Sequence, residues 1–228
     1  MRLVLFDIDG TLLWSDGAGR RSMTAALNEA IGTGGPPEYR YDGKTDPQIV
    51  RDLMALAGCA PETIAARIPL LLERYVTLLA EELRARRLAL FAGVAALVDA
   101  VEAADDMALG LLTGNVRAGA EMKLRAAGLD FARFRIGAFG SDHAERPALP
   151  AIAQRRAREL LGVDLPGERV IVIGDTPADI ACGRDIGARA IAVATGHYGV
   201  DELARHRPAA VFATLEDTEA VMAVIRDG

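Results

Sequence analysis

Lysine, histidine and cysteine are scarce in this sequence of 228 residues. Only two of the 26 basic side chains are lysines, Lys44 and Lys123, so arginine supplies nearly all of the positive charge. Acidic residues outnumber basic ones and give a formal net charge of −6, which argues against a nucleic-acid-binding surface. The three histidines lack the HExxH spacing of zinc proteases, and no serine stands in a GxSxG motif, so the sequence argues against both of those hydrolase types.

The cysteine and apolar patterns bear on the cellular location. Cys59 and Cys182 are the two cysteines, and they are far apart without the spacing of a metal site. This usage is typical of free thiols in a reducing compartment. No apolar run is long enough to cross a membrane, and the apolar stretch before Asp7 is too short for the core of a signal peptide. We therefore expect a cytoplasmic protein with no membrane partner.

Strand and helix patterns alternate over most of the chain. The predicted strands are residues 3–6, 107–112, 134–139, 170–173, 190–194 and 210–213. Helical patterns separate the later strands, which predicts a parallel sheet covered by helices on both faces. Residues 17–87 contain only helix and loop patterns. The sequence therefore predicts an α/β core of residues 1–16 and 88–228, with a small all-helical domain of residues 17–87 inserted after the first strand.

Polar clusters follow three of the predicted strands. The clusters are Asp7-Ile8-Asp9-Gly10-Thr11 after the first strand, Thr113-Gly114-Asn115 after the second, and Gly174-Asp175 with Asp179 after the fourth. In open α/β sheets the site lies where such strand ends converge. Carboxylates that lie so close together need a cation, and a ligand set of oxygens without histidine or cysteine suits Mg²⁺.

Other phosphate and metal motifs are missing from the sequence. It has no GxxxxGK[ST] loop and no strand-linked GxGxxG, which argues against nucleotide-binding folds of those types. The Asp7-x-Asp9-Gly10 run differs from a calcium-binding loop, because its glycine is at the fourth position and no glutamate stands at the twelfth.

Taken together and in this order, the three clusters resemble the motifs of the haloacid dehalogenase superfamily, most closely its phosphoglycolate phosphatase-like branch. The resemblance spans the whole predicted core, and the helical insertion is similar to the cap that this family carries at its first insertion point. It implies a Rossmann-like core and a Mg²⁺-dependent phosphatase acting on a small phosphorylated metabolite.

The resemblance also implies a role for each motif residue. Asp7 would be the nucleophile that forms an aspartyl-phosphate, and Asp9 would act as general acid and then as general base. A nearby phosphate dianion would raise the pKa of Asp9 toward the protonated form that the acid step needs. Mg²⁺ would be held by Asp7, by the backbone carbonyl of Asp9 and by Asp175, with Asp179 supporting the site from outside.

The second motif and one later position complete the implied site. Thr113 and the backbone amides of Gly114 and Asn115 would bind the transferring phosphoryl group. The family normally supplies a lysine before the helix that precedes the fourth strand, and Arg146 stands there in this chain. Arg146 could bridge Asp7 and phosphate through its planar fork, although a surface arginine beside Pro147 is the alternative.

Residues 41–47 lead into a predicted helix of the insertion. Asp46 is expected to cap this helix, with Pro47 at its first position. Caps of this kind close over the site and contact the leaving group. We therefore expect Lys44 and Thr45 to contact an anionic part of the substrate, with a solvated loop lysine as the alternative for Lys44.

Two other functions remain open at this stage. A phosphomutase of the same superfamily uses the same pair of aspartates, and a catalytically silent module that binds a phosphorylated metabolite is conceivable because of Arg146. The expected partner is a small phosphorylated metabolite such as phosphoglycolate or a sugar phosphate, and the expected assembly is a monomer or a homodimer.

Overall fold

The computed structural model describes residues 1–84 and 86–227. Its strands are β1 (Arg2–Phe6), β2 (Met107–Thr113), β3 (Ile136–Phe139), β4 (Val170–Gly174), β5 (Arg189–Val193) and β6 (Ala210–Phe212). All of them pair in parallel, in the order β3-β2-β1-β4-β5-β6. The predicted α/β fold with a parallel sheet is confirmed. The order in which strands are added to the sheet reverses between β1 and β4. In sheets of this kind, ligands bind at the carboxyl ends of the strands where the order reverses.

Helices cover both faces of this sheet. The α-helices of the described residues are α1 (Ala18–Ile31), α2 (Asp46–Leu56), α3 (Pro61–Arg84), α4 (Val94–Glu102), α5 (Arg117–Ala126), α6 (Leu149–Leu161), α7 (Pro177–Cys182), α8 (Val200–Ala204) and α9 (Thr218–Arg226), and the sheet is covered by those from α4 onward. In β1 the side chains alternate: Val4 and Phe6 lie in the cluster with α4, α5 and α9, whereas Leu3 and Leu5 lie in the cluster with α6. β1 is therefore apolar throughout, as expected of a central strand in such a sheet.

Helices α1, α2 and α3 form a unit above the sheet. Met23, Leu27, Leu53 and Tyr75 are buried in one apolar cluster of these helices, which Val116 of α5's N-terminal end joins from below. If residues 17–87 form a cap on a core of residues 1–16 and 88–228, we expect the cap to have an apolar core of its own, and this cluster fits that expectation. The domain boundaries themselves stay a prediction. Among the described residues, no helix combines the length and the apolar character needed to cross a lipid bilayer.

The start of α2 joins this cap to the carboxyl end of the sheet. The backbone N–H of Asp46 donates to the carbonyl of Gly114 at 2.8 Å, and the Asp46 carboxylate accepts from the backbone N–H of Val116 at 2.7 Å. The hydroxyl of Thr45 donates to the carbonyl of Ala144 at 2.5 Å. The cap therefore lies closed on the loops that follow β2 and β3.

The expected N-cap of α2 was wrong by one residue. Thr45 caps the helix, because its hydroxyl accepts from the backbone N–H of Gln48, and Asp46 is the first helical residue. The Asp46 side chain is thereby free to bond to Val116. Burial raises the pKa of Asp46 to about 6, even though Lys123 and the N–H of Val116 favour its charged form. Part of the cap contact is thus made by a buried carboxyl group that takes up a proton more readily than an exposed aspartate does.

This environment predicts a pH-dependent effect of Asp46→Asn on stability. Because the pKa of Asp46 is higher in the folded chain than its ordinary 3.8, Asp46 stabilises the fold below pH 4 and this contribution is lost as the pH rises toward 6. Asparagine keeps an acceptor for Val116 and does not titrate. The measurement is the unfolding free energy of Asp46→Asn minus that of the wild type, from urea titrations with chelator. This difference should increase by about 2 kcal/mol between pH 4.5 and pH 7.

Asp52→Asn on the same helix is the matched control, with the opposite sign. Although burial opposes it, hydrogen bonds from Lys44 and Tyr39 lower the pKa of Asp52, so its contribution is present at neutral pH and lost on acidification. Because both pKa values of Asp52 lie at or below the ordinary 3.8, the wild type and Asp52→Asn should differ by a nearly constant amount from pH 4.5 to pH 7, and the wild type should lose its advantage only in more acidic solution. A difference between Asp46→Asn and wild type that does not change with pH would contradict the assignment.

Candidate active site

The chain bends sharply after β1, between the two aspartates of the first motif. The N–H of Asp7 still donates to the carbonyl of Ile173 in the neighbouring strand, whereas the N–H groups of Leu12 and Leu13 turn back onto the carbonyl of Ile8. Gly10 has φ of +85°, and a Cβ at that position would collide with the carboxylate of Asp175. Glycine is therefore required here, because both the left-handed backbone and the close approach of β4 exclude a side chain.

Three carboxylates meet at the ends of β1 and β4. Asp7, Asp175 and Asp179 each place one oxygen within 4.8 Å of the others, and all three are buried. Burial raises the pKa of Asp7 to about 6, with Arg146 acting against this and Asp179 and Asp9 adding to it. Burial together with repulsion from Asp179 and Asp7 raises the pKa of Asp175 well above its ordinary value. A cation would relieve this repulsion, and an oxygen-only ligand set fits a divalent metal such as Mg²⁺.

Asp179 has fewer free acceptor positions than its two neighbours. One of its oxygens accepts from the backbone N–H of Thr176 at 3.0 Å and from the Thr176 hydroxyl at 2.6 Å, which completes a capping box at the start of α7. Its other oxygen accepts from Arg146. Both oxygens of Asp179 are therefore already in hydrogen bonds, and its role in supporting a metal site from outside stays a prediction.

The structure brings Arg146 into this cluster. The residue is 4% exposed, and its Nη2 lies 3.2 Å from Oδ1 of Asp7 while also contacting Asp179. Burial works against its charge, but Asp179 and Asp7 raise the pKa of Arg146 above its already high value. Its Nε is buried and has no hydrogen-bond partner among the described residues. Arg146 therefore lies where the resemblance placed the family lysine, and Nε is a donor still to be satisfied.

The side chain of Asp9 has a different set of partners from the three clustered aspartates. Its Oδ1 accepts from the hydroxyl of Ser15 at 2.7 Å, and its Oδ2 accepts from Nδ2 of Asn115 at 2.9 Å and from Nζ of Lys123 at 2.6 Å. Burial alone would raise the pKa of Asp9, but the Lys123 charge and these hydrogen bonds outweigh it and lower the pKa. In this arrangement Asp9 is a carboxylate, which is the form a general base requires.

The second motif lies beside Asp7 because β2 and β1 are neighbours in the sheet. Oγ1 of Thr113 accepts from Nδ2 of Asn115 at 2.8 Å and from its backbone N–H at 3.4 Å. These bonds use the lone pairs of the hydroxyl and leave its proton for an acceptor in the cavity. A Cβ on Gly114 would collide with the carbonyl of Lys44, so glycine is required for the cap to close here.

The two cap residues expected to contact substrate differ in position. Lys44 lines the cavity, but its Nζ donates to Asp52 at 2.8 Å and lies 4.6 Å from the ring centroid of Tyr39. Thr45 is fully buried, and its hydroxyl is used by Ala144 and by the start of α2. The structure therefore brings Lys44 to the cavity with its charge already paired, and it does not bring the Thr45 side chain there.

A cavity of about 510 Å³ lies between this cluster and the cap. Its core side includes Asp7, Asp9, Thr113, Asn115, Arg146 and Asp175, and its cap side includes Arg20, Tyr41, Lys44, Asp46, Ile49 and Tyr75. The volume suits a small molecule. Its walls carry charges of both signs, with the acidic cluster at one end.

Sequence reasoning missed two residues of this site, Lys123 and Ser15. Lys123 is 3% exposed and bonds to both Asp9 and Asn115, and Ser15 bonds to Asp9. A usable signal for Lys123 was present, because it is one of two lysines in the chain and follows Asn115 by eight residues. Ser15 gave no comparable signal.

Comparisons with known proteins agree with this geometry. The family model for haloacid dehalogenase-like hydrolases matches residues 1–187. No curated protein sequence matches the chain significantly. Among solved structures, a hydrolase from Pseudomonas syringae is similar over 98% of each chain, with 20% identity and a TM-score of 0.74.

Two further solved structures show the same likeness. A predicted phosphoglycolate phosphatase from Haemophilus somnus covers 97% of this chain and 98% of its own, with 19% identity and a TM-score of 0.69. CbbY from Rhodobacter sphaeroides, solved in complex with phosphate, covers 95% and 96%, with 24% identity and a TM-score of 0.64. At these identities the likeness establishes the fold alone. The family-model match, carried by a chain whose three motifs meet on the adjacent strands β2, β1 and β4, shows that this protein belongs to the haloacid dehalogenase-like hydrolases.

Proposed function

We propose that this protein is a Mg²⁺-dependent phosphatase that hydrolyses a small phosphorylated metabolite through an aspartyl-phosphate on Asp7. The observation that carries the proposal is the separation of the two aspartates of the first motif. Asp7 lies in the carboxylate cluster beside Arg146, whereas Asp9 is held apart by Ser15, Asn115 and Lys123. One carboxylate is thus available for attack and the other for proton transfer.

The proposed reaction has two steps. An oxygen of Asp7 attacks phosphorus, the bond from phosphorus to the leaving oxygen breaks, and Asp9 gives that oxygen a proton. In the second step Asp9 takes a proton from water as the water oxygen attacks phosphorus, which releases inorganic phosphate and restores Asp7. The lowered pKa of Asp9 suits the second step, and the approach of a phosphate dianion would favour protonation for the first.

The remaining residues bind the phosphoryl group and balance charge. The free proton of Thr113 and the Nε of Arg146 are donors for phosphoryl oxygens, and the backbone amide of Gly114 borders the same space. Asp7, Asp175 and the backbone carbonyl of Asp9 would hold Mg²⁺, with Asp179 in support. When bound, the ion would supply positive charge that offsets the negative charge of the carboxylates and of the phosphoryl group.

The leaving group would occupy the part of the cavity under the cap. About 510 Å³ accommodates a phosphorylated metabolite of a few carbons, such as phosphoglycolate or a sugar phosphate, but excludes a macromolecule while the cap is closed. We still propose that Lys44 contacts the leaving group. To do so, its Nζ would have to exchange its hydrogen bond to Asp52 for one to the substrate. A cytoplasmic location and a monomeric or dimeric assembly stay predictions.

The reaction predicts metal-dependent release of phosphate. Purified protein with Mg²⁺ should release inorganic phosphate from members of a panel of phosphorylated metabolites, and excess chelator should abolish the release reversibly. Asp7→Asn should lower kcat by at least about 10³-fold, because the amide is a poor nucleophile. Asp105→Asn, which changes an exposed loop aspartate, should leave the rate unchanged and serves as control.

The same panel separates the competing functions. A phosphomutase would convert a sugar phosphate into its isomer without stoichiometric release of phosphate, so both products are measured. A folded preparation that releases no phosphate and forms no isomer from any ester would refute the enzyme and leave a silent binding module.

Arg146 gives a second kinetic prediction. Arg146→Ala should lower kcat/KM by at least about tenfold, because Asp7 and Asp179 lose their buried cation and the phosphoryl group loses a donor. Arg146→Lys should recover part of this loss, since it restores a charge without the planar fork. Arg155→Ala, on the exposed side of the following helix, is the control. Kinetics of Arg146→Ala within threefold of wild type would remove Arg146 from the catalytic site.

A further inference from the structure

We propose that Lys123 is the positioning residue of the proton-transferring carboxylate, acting through Asp9 and Asn115 rather than on the substrate. The inference rests on the proposed phosphatase function and adds a residue that none of the sequence motifs contains. Lys123 lies on α5, outside the three strand-end clusters, yet its side chain reaches the centre of the site.

The hydrogen bonds of Lys123 define what it can do. Its Nζ donates to Oδ2 of Asp9 and to Oδ1 of Asn115, both at 2.6 Å. Nδ2 of Asn115 in turn donates to the same Oδ2 of Asp9 at 2.9 Å and to Oγ1 of Thr113 at 2.8 Å. Lys123, Asn115 and Asp9 thus form a closed ring of hydrogen bonds. The ring fixes the amide of Asn115, and with it the acceptor role of the Thr113 hydroxyl.

The ring also settles where the carboxylate of Asp9 lies. Lys123 and Asn115 hold one oxygen and Ser15 holds the other, and none of these three donors bonds to Asp7 or Asp175 in the described contacts. The group of Asp7, Asp175 and Asp179, which has Arg146 as its cation, does not include the Asp9 carboxylate. Lys123 supplies the only full positive charge among the three donors to Asp9, and charged donors make the stronger bonds.

The cap is shaped to cover this lysine. The side chain of Lys123 is 4% exposed, and a Cβ on Gly19 of α1 would lie 3.3 Å from its Nζ and 3.6 Å from the hydroxyl of Tyr75 on α3. Glycine at position 19 therefore leaves space for the ammonium group. A buried ammonium needs partners for its donors, and Asp9 and Asn115 provide two.

The experiment compares kinetics of single and double variants of the full-length protein with Mg²⁺. Lys123→Met removes the charge at similar length, and Lys123→Gln keeps a neutral donor in case the Met variant does not fold. Arg125→Met removes a cation from the same helix at an exposed position and is the matched control. Each variant is assayed with p-nitrophenyl phosphate, whose leaving group needs little protonation, and with phenyl phosphate, whose leaving group needs more. Thermal unfolding is followed in parallel.

A positioning role predicts three results. Lys123→Met should lower kcat on phenyl phosphate by about 10²-fold with KM changed by less than about threefold, and the loss on p-nitrophenyl phosphate should be smaller. Asp9→Asn should show the same dependence on the leaving group. Adding Lys123→Met to Asp9→Asn should cost less than a further factor of about three, because both changes remove one function.

Other outcomes overturn the inference without touching the proposed function. Folded Lys123 variants within about threefold of wild type, equal losses on both esters, or losses that multiply with those of Asp9→Asn would show that Lys123 contributes only to structure. If the Met variant does not fold, the same criteria apply to Lys123→Gln. A wild type that hydrolyses neither these esters nor any metabolite of the panel refutes the phosphatase instead, so the two failures are distinct.

Discussion

Compensation of buried negative charge is the constraint on which the rest of this structure depends. Parallel pairing of β1 with β4 brings Asp7 and Asp175 together, and α7 adds Asp179. No apolar core tolerates such a group of charges without partners. Arg146 answers part of this need from the side of β3, and the geometry leaves oxygens available for a divalent ion. The fold therefore brings the three carboxylates together and also places Arg146 beside them to offset part of their charge.

Closure of the cap depends on backbone contacts without side chains. Side chains at Gly114 and Gly19 would meet Lys44 and Lys123 respectively, and the N–H of Asp46 bonds to the carbonyl of Gly114. The loop after β2, which we propose to bind the phosphoryl group, is consequently also the surface that the cap contacts. The proposed substrate contacts and the cap contacts thus involve the same few atoms, and Lys123 lies buried beneath Gly19 of the cap.

The sequence predicted the fold well because its signals are local and repeated. Apolar runs such as 170–173 and the helices between them identify a parallel sheet, and motifs at the strand ends locate the site. Orientation of side chains was harder to predict. Thr45, not Asp46, caps α2, and the Asp46 carboxylate bonds to the backbone N–H of Val116 instead. A helix start that is one residue earlier than expected is enough to change which side chain is the cap. Lys123 was missed because its bond to Asp9 joins residues that are 114 positions apart in the sequence.

The preference of this chain for arginine over lysine can be examined at two buried positions, Arg146 and Lys123. Arg146 contacts Asp7 and Asp179 through the single nitrogen Nη2, and its planar guanidinium still has Nε as a donor for a further acceptor. Lys123 lies between an aspartate oxygen and an amide oxygen, and a Cβ at Gly19 of the cap would lie 3.3 Å from its Nζ. A chain that uses arginine almost everywhere has thus kept one of its two lysines at a buried position that bonds to Asp9. Because arginine carries the same charge, the difference at this position lies in the compact shape of the ammonium group.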